Sequence, residues 1–356
     1  MKTILCAGAL ALAGMDAVAA DSAVNVYGLV DVALVRETGG SGGDVTKLTS
    51  GVGAGSRLGF KGREELGDGL AAVFLLESGF QADTGALGQG GLLFGRQAYV
   101  GLQGGFGTLT AGRQYTPEYL TVVLADPFAS GYAGDTKNLI APTGNSASRM
   151  DNSLKYASPS VGGASAEIVY GAGEVAGADA AGRQFGGALD YNAGPLRVRL
   201  GYHDRNNDTA TLKNTSHAKN TVLAAVYDFG IVKAHFAYGV DKGLNSSLLR
   251  NAANPYGRTG VPVASSDSRD VLVGATIPYG PHTWMASWIH KDDRGALDQD
   301  ATQYALGYRY ALSRRTELYA AIAHIVNRRG ASYTVGSAIE GGTGNGAVDL
   351  GIRHAF

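Results

Sequence analysis

The sequence predicts an all-β fold, a transmembrane antiparallel β-barrel of about sixteen strands, on three observations. First, the chain ends in an alternating segment, Val348-Asp349-Leu350-Gly351-Ile352-Arg353-His354-Ala355-Phe356, whose one face carries Val348, Leu350, Ile352, His354 and Phe356. Period two is the side-chain period of a strand. A strand that stops on an aromatic residue suggests a sheet closing there, and in lipid only a closed barrel satisfies every strand edge. Second, the alternation recurs at residues 196–203, 232–241 and 303–310, while no stretch nears the ~18 consecutive apolar residues of a helical span. Third, short turns alternate along the chain with long polar connections, as hairpins on one barrel rim and loops on the other require.

Residues 1–20 read as a secretory signal: Lys2 is the positive start, residues 4–15 are mostly apolar, and Val18-Ala19-Ala20 supplies small residues before Asp21. Cleavage after Ala20 leaves residues 21–356 as one barrel domain. Cys6 precedes most of the apolar run, whereas lipidation needs a cysteine after it, so the exported chain would hold no cysteine and no disulfide. Thirty basic side chains against 31 acidic ones disfavour nucleic acid as a partner. Glycine, at 54 of 356 residues, is about twice its usual frequency, which suits a long sheet with many tight turns.

The short turns fall at Gly67-Asp68-Gly69, Gly104-Gly105, Gly162-Gly163, Ala193-Gly194-Pro195, Asp228-Phe229-Gly230, Gly280-Pro281 and Leu312-Ser313-Arg314. The long connections fall near 37–50, 82–93, 116–148, 174–182, 204–218, 242–267, 292–301 and 328–345. Sixteen strands fit between them, each long enough to cross at roughly 9–11 residues. A soluble sandwich with one wet face gives the same alternation. The membrane reading rests on the charged, Gly-rich second face, with Arg197, Arg199, His203 and Arg205 in one strand, and on tyrosines near strand ends. Trp284 and Trp288 share one face as interfacial anchors. His203, His235 and His290 sit singly, without metal-ligand spacing, and are expected to be solvated or interfacial. The run Gly51-Val52-Gly53-Ala54-Gly55 has the composition of a phosphate-binding loop but precedes a strand, not a helix.

Alternation at Ser56-Arg57-Leu58-Gly59-Phe60-Lys61-Gly62 turns Arg57, Lys61 and Arg63 inward. With Val24-Asn25-Val26-Tyr27-Gly28, Leu75-Leu76-Glu77-Ser78-Gly79-Phe80, Phe94-Gly95-Arg96-Gln97-Ala98-Tyr99-Val100-Gly101-Leu102, Gly112-Arg113-Gln114-Tyr115, Asn152-Ser153-Leu154-Lys155-Tyr156 and the terminal Phe356, the whole mature chain resembles a general diffusion porin of Gram-negative bacteria. The resemblance implies a homotrimer in the outer membrane, in contact with its lipid, passing ions and small hydrophilic solutes without a cofactor. It implies a long third loop, 116–148, folded into the lumen. Opposite that loop it implies an arginine ladder of Arg57, Arg96 and Arg149, extended by Arg113, with Glu77 as a carboxylate partner. It implies that Asp126 and Asp135 are the loop carboxylates facing the ladder, in a pore constriction whose opposed charges order water and slow apolar solutes. It also implies that the face of Val348, Leu350, Ile352, His354 and Phe356 is the tag read by the barrel-assembly machinery.

Two departures bear on selectivity. Gly131 stands where some members carry a glutamate, and Leu29 where some carry a lysine. The lost acid tilts the expectation towards mild anion preference. A channel specific for an organic acid or phosphate is the alternative. An outer-membrane barrel enzyme is a further one, whose nearest candidate, His290-Lys291-Asp292, lacks a serine nucleophile motif. Loops near 204–218 and 242–267 that bind a host or phage surface are compatible with transport.

Overall fold

The computed structural model describes residues 23–141, 148–247 and 265–356. The expected signal peptide at 1–20 lies outside these residues, as do parts of the connections at 116–148 and 242–267. The described residues form one antiparallel sheet that closes on itself. β1 (Ala23–Thr38) pairs with β17 (Gly346–Ala355) from Leu29 opposite Ala355 to Thr38 opposite Gly346. The sheet therefore closes on the last strand, as its alternation suggested, and the last residue meets Gly28, with which Phe356 exchanges two backbone hydrogen bonds of 3.0 Å. A Cβ at Gly28 would lie 2.2 Å from the Phe356 ring, so only glycine leaves room for the terminal aromatic.

Among the described residues, seventeen strand segments make sixteen staves. β2 (Val45–Ser50) and β3 (Arg57–Gly67) both pair with β1 on one side, with Val32 opposite Ser50 and Leu29 opposite Arg57, and form one stave interrupted at 51–56. Residues 45–50 therefore belong to the wall rather than to the connection expected at 37–50. Their polar residues hid the strand: Lys47 pairs with Glu37 at 2.7 Å and Thr49 Oγ1 donates to Glu340 Oε1 at 2.6 Å. The expected Gly67-Asp68-Gly69 turn joins β3 to β4 (Leu70–Gly79), with φ of 96°, 49° and 74°.

Strand β16 (Thr316–Asn327) shows the two faces: Leu318, Ile322 and Val326 are exposed outward, while Tyr319, Ala321, Ala323 and Ile325 are buried inside. Trp284 and Trp288 lie exposed on the outer face of β14 (His282–Asp293). Among the described residues no helix is long and apolar enough to cross a membrane.

Two loops fold into the interior and cover part of the wall. The third loop turns inward as expected and begins with α1 (Pro117–Ala125), capped by Thr116, whose Oγ1 accepts from Tyr119 N at 3.2 Å. α1 lies on the inner faces of β10 (Leu196–Asn206) and β11 (His217–Asp228). The loop then reaches β15 (Ala301–Ala311), β16 and β17, where Asn138 Nδ2 donates to Gln303 Oε1 (2.9 Å), Tyr132 OH to Glu317 Oε1 (3.2 Å) and Ala133 N to Asp349 Oδ2 (2.6 Å). The connection at 328–345 also folds inward, which the sequence did not suggest. Its Ala331, Tyr333 and Val335 are buried, Gly336 N donates to Asn138 Oδ1 (3.0 Å), and Lys137 Nζ donates to the Ala338 carbonyl (3.2 Å).

Candidate functional site

The wall not taken up by these loops includes β3, β4, β5 (Gln97–Gly104), β6 (Gly107–Tyr115) and β7 (Arg149–Ala157), and the ladder stands here. Arg96 Nε donates to Glu77 Oε1 at 2.7 Å and its NH2 to the Tyr115 hydroxyl at 2.8 Å. Arg149 NH2 donates to the same hydroxyl at 2.8 Å, its Nε donates to the Arg96 carbonyl at 2.7 Å, and its guanidinium lies 4.6 Å from the Tyr115 ring centre. Glu77 Oε2 accepts from Tyr27 OH at 2.7 Å. Gly59 makes that contact possible, since a Cβ there would lie 2.3 Å from the Tyr27 ring. Arg57 is half-buried within electrostatic reach of Arg96 and Glu77, and has no hydrogen-bond or ion-pair partner among the described residues. Three guanidiniums around one carboxylate leave the patch cationic by two.

Arg57, Arg96, Arg149 and Glu77 are thus brought together. Tyr115, the hydroxyl that joins two of the arginines, was missed, although its signal was present: an aromatic residue two positions past Arg113 and directly before the inward loop. Arg113 stands at the edge of the group. Its Nε donates to the Gly95 carbonyl at 2.8 Å and its charge is answered by an ion pair with Asp151.

The loop carboxylates are not where the resemblance put them. Asp126 is 3% exposed and Asp135 fully buried. Asp126 accepts from the amides of Phe128 (2.8 Å), Ser130 (2.9 Å) and Thr136 (3.0 Å), holding a segment in which Ala129, Ser130 and Tyr132 have left-handed φ of 53°, 61° and 59°. Burial, with Asp135 alongside, pushes the Asp126 carboxyl up to about 7, against the pull of these amides. Asp135 caps a 3-10 turn through Lys137 N at 2.8 Å and pairs with Lys137 at 3.2 Å. The remaining acid of the loop, Glu118, is also fully buried, and residues 142–147 carry none. No carboxylate of this loop faces the lumen: Asp126 and Asp135 turn to the loop's own amides, as short acidic side chains in a tight loop do, and Glu118 is covered by α1 against the wall.

Gly131 likewise has a packing role and is not a missing acid of the pore. A Cβ there would lie 2.0 Å from the Gly53 carbonyl, so glycine is what seats the loop on the 51–56 segment, where Tyr132 N donates to the Val52 carbonyl at 2.6 Å. Gly131→Glu is expected to lift the loop from the wall at a cost of about 1–3 kcal/mol, seen as a changed single-channel conductance and faster proteolysis within 116–148. Unchanged conductance and proteolysis would refute this seating.

The glycine run at 51–55 does cradle an anion, but one from its own chain. Asp31 Oδ1 accepts from Val52 N (2.9 Å), Gly53 N (3.3 Å) and the Tyr319 hydroxyl (2.7 Å), and Oδ2 from Ala54 N (3.1 Å). The enzyme candidate does not assemble: His290 contacts Thr302 at 3.0 Å, while Lys291 points to the opposite face, where it pairs with Asp270 (2.9 Å) and Asp241 (3.3 Å). His203 is fully buried rather than solvated, because α1 covers its strand.

The family model for Gram-negative porins matches residues 5–330. Outer membrane porin proteins of Bordetella pertussis and Delftia acidovorans (the latter porin protein 32) are each 31% identical, covering all of both chains. The solved anion-selective porin from Comamonas acidovorans superposes with a TM-score of 0.77 at 27% identity, covering 94% of this chain and 100% of its own.

Proposed function

Because the chain belongs to the Gram-negative porin family, and so forms a passive water-filled channel in the outer membrane, we propose that this channel prefers anions and that Arg57, Arg96 and Arg149 create the preference. One observation carries the reading: a wall cationic by two stands in a lumen whose inward third loop has no exposed carboxylate. Arginine suits the role because it stays charged at every working pH and its planar group stacks on Tyr115. Fixed charges of one sign raise the local concentration of the opposite ion and so set selectivity. The solved relative that is called anion-selective supports the sign.

Two further parts of the reading concern assembly. Three copies form the functional unit, and the residues Val348, Leu350, Ile352, His354 and Phe356, all exposed on the outer face, serve as the signal for barrel assembly. The proposal has no catalytic step and no bound cofactor.

The selectivity is tested by reconstituting purified protein in a planar bilayer and reading the zero-current potential across a potassium chloride gradient. The sign expected is that of chloride permeating faster than potassium. The preference is expected to be larger near 0.1 M than near 1 M salt, as the screening length falls from about 10 Å to about 3 Å. A potassium preference overturns the reading.

A further inference from the structure

Resting on the anion-preferring channel above, we propose that its constriction selects amphiphilic organic anions, a carboxylate on an aryl or branched-alkyl body, over hydrophilic anions of equal size. The carboxylate binds at Arg57 and Arg149, and the apolar body lies along α1.

The helix carries its polarity the wrong way round for one bordering water. Its wall-facing, buried side holds Glu118 and Thr121 beside Pro117, Val122 and Ala125. Of the positions that remain partly open, Leu124 packs against the buried cluster, which leaves Leu120 and Val123 beside the Tyr119 ring as an apolar strip on one helical face. A solvated helix places its polar residues outward, so this apolar strip is expected to have an occupant.

Charge complementarity says which occupant. The strip is continuous with the ladder: Arg149 lies on the Tyr115 ring at 4.6 Å, and the Tyr115 ring stacks on Tyr119 at 5.0 Å with the planes 26° apart. Arg57 has no partner among the described residues and is available to a carboxylate. An anion with an apolar body meets guanidinium, aromatic rings and aliphatic side chains in sequence along one surface. Ordinary exclusion of apolar solutes from a charged eyelet depends on water held between opposite charges. Glu118, Asp126 and Asp135, 0%, 3% and 0% exposed, supply no opposite charge on the loop, so less ordered water has to be displaced.

The test compares 3-phenylpropionate with threonate, a polyhydroxy carboxylate of similar mass, by bi-ionic potentials against chloride in the reconstituted channel. The expected phenylpropionate-to-threonate permeability ratio is at least about fourfold, the equivalent of burying one methylene. Leu120→Ser combined with Val123→Ser should bring the ratio towards one, with conductance in potassium chloride reporting that the channel has assembled. A ratio of one in the native channel overturns the inference while a retained chloride preference leaves the anion channel standing. A potassium preference removes both. A native ratio that the double variant leaves unchanged also overturns it, because the selectivity then comes from elsewhere.

Discussion

Replacing Arg57, Arg96 and Arg149 together with glutamine is expected to invert the channel's ion preference from chloride to potassium. The three guanidiniums outnumber Glu77, and without them the patch changes from cationic by two to anionic by one. In water a unit charge ~7 Å from a passing ion is worth about 0.6 kcal/mol, or roughly a threefold change in local ion concentration. Three such changes multiply to roughly twentyfold in the local concentration of one ion, so the permeability ratio shifts by more than an order of magnitude. The single variants should differ among themselves. Arg57→Gln removes a charge without a partner and should change selectivity with little effect on stability. Arg96→Gln strands the Glu77 carboxylate, whose side chain is 5% exposed, and should cost stability as well. Zero-current potentials at 0.1 M and 1 M salt, with heat-modified electrophoretic mobility as the folding control, check both statements. A triple variant that keeps the native chloride preference sinks the ladder assignment.

The wall was readable in the sequence and the lumen less so, for a physical reason. Strands carry their own signal: period two in residues such as Leu196 to Tyr202 is set by the pleat, and so is the inward phase of Arg57, whereas Arg149 was placed by resemblance. Residues 45–50 escaped because Lys47 and Thr49 answer to Glu37 and Glu340, the latter far along the chain, and not to a local pattern. The loop followed the same logic. That 116–148 folds inward came from resemblance and length, but the direction of each side chain depends on tertiary partners that no local window contains. Asp126 turned to three amides within its own loop, and Gly131 to the carbonyl of Gly53. The inward course of 328–345 left no sequence mark, since its contacts with Asn138 and Lys137 are nearly two hundred residues apart in the chain.

The second large effect is expected from pH acting on Glu118. This side chain is fully buried between α1 and the wall, and neither carboxylate oxygen has a hydrogen-bond partner among the described residues. Burial, followed by the fields of Asp241 and Asp270, holds its carboxyl well above the usual range. Lys291 answers those two aspartates and not Glu118. On the same surface Arg199 donates to Thr121 Oγ1 at 3.1 Å and pairs with Glu167 and Asp190, while His203 is buried alongside. The seated helix therefore carries Glu118 neutral. Once released into water, the residue returns to an ordinary value near ~4.3. Below that value both states are protonated and seating has its full strength. As pH rises past it, only the released state ionises, so seating weakens steadily until the raised value is passed. Within this window each pH unit favours release by up to about tenfold. Single-channel recordings should accordingly show quiet currents in acid and more frequent conductance excursions as pH rises towards 8. Glu118→Gln keeps the shape without the ionisation and should leave the currents quiet throughout. If the glutamine channel stays as pH-sensitive as the native one, another group governs seating. Asp126→Asn then tests the carboxyl pushed up to about 7 within the same loop.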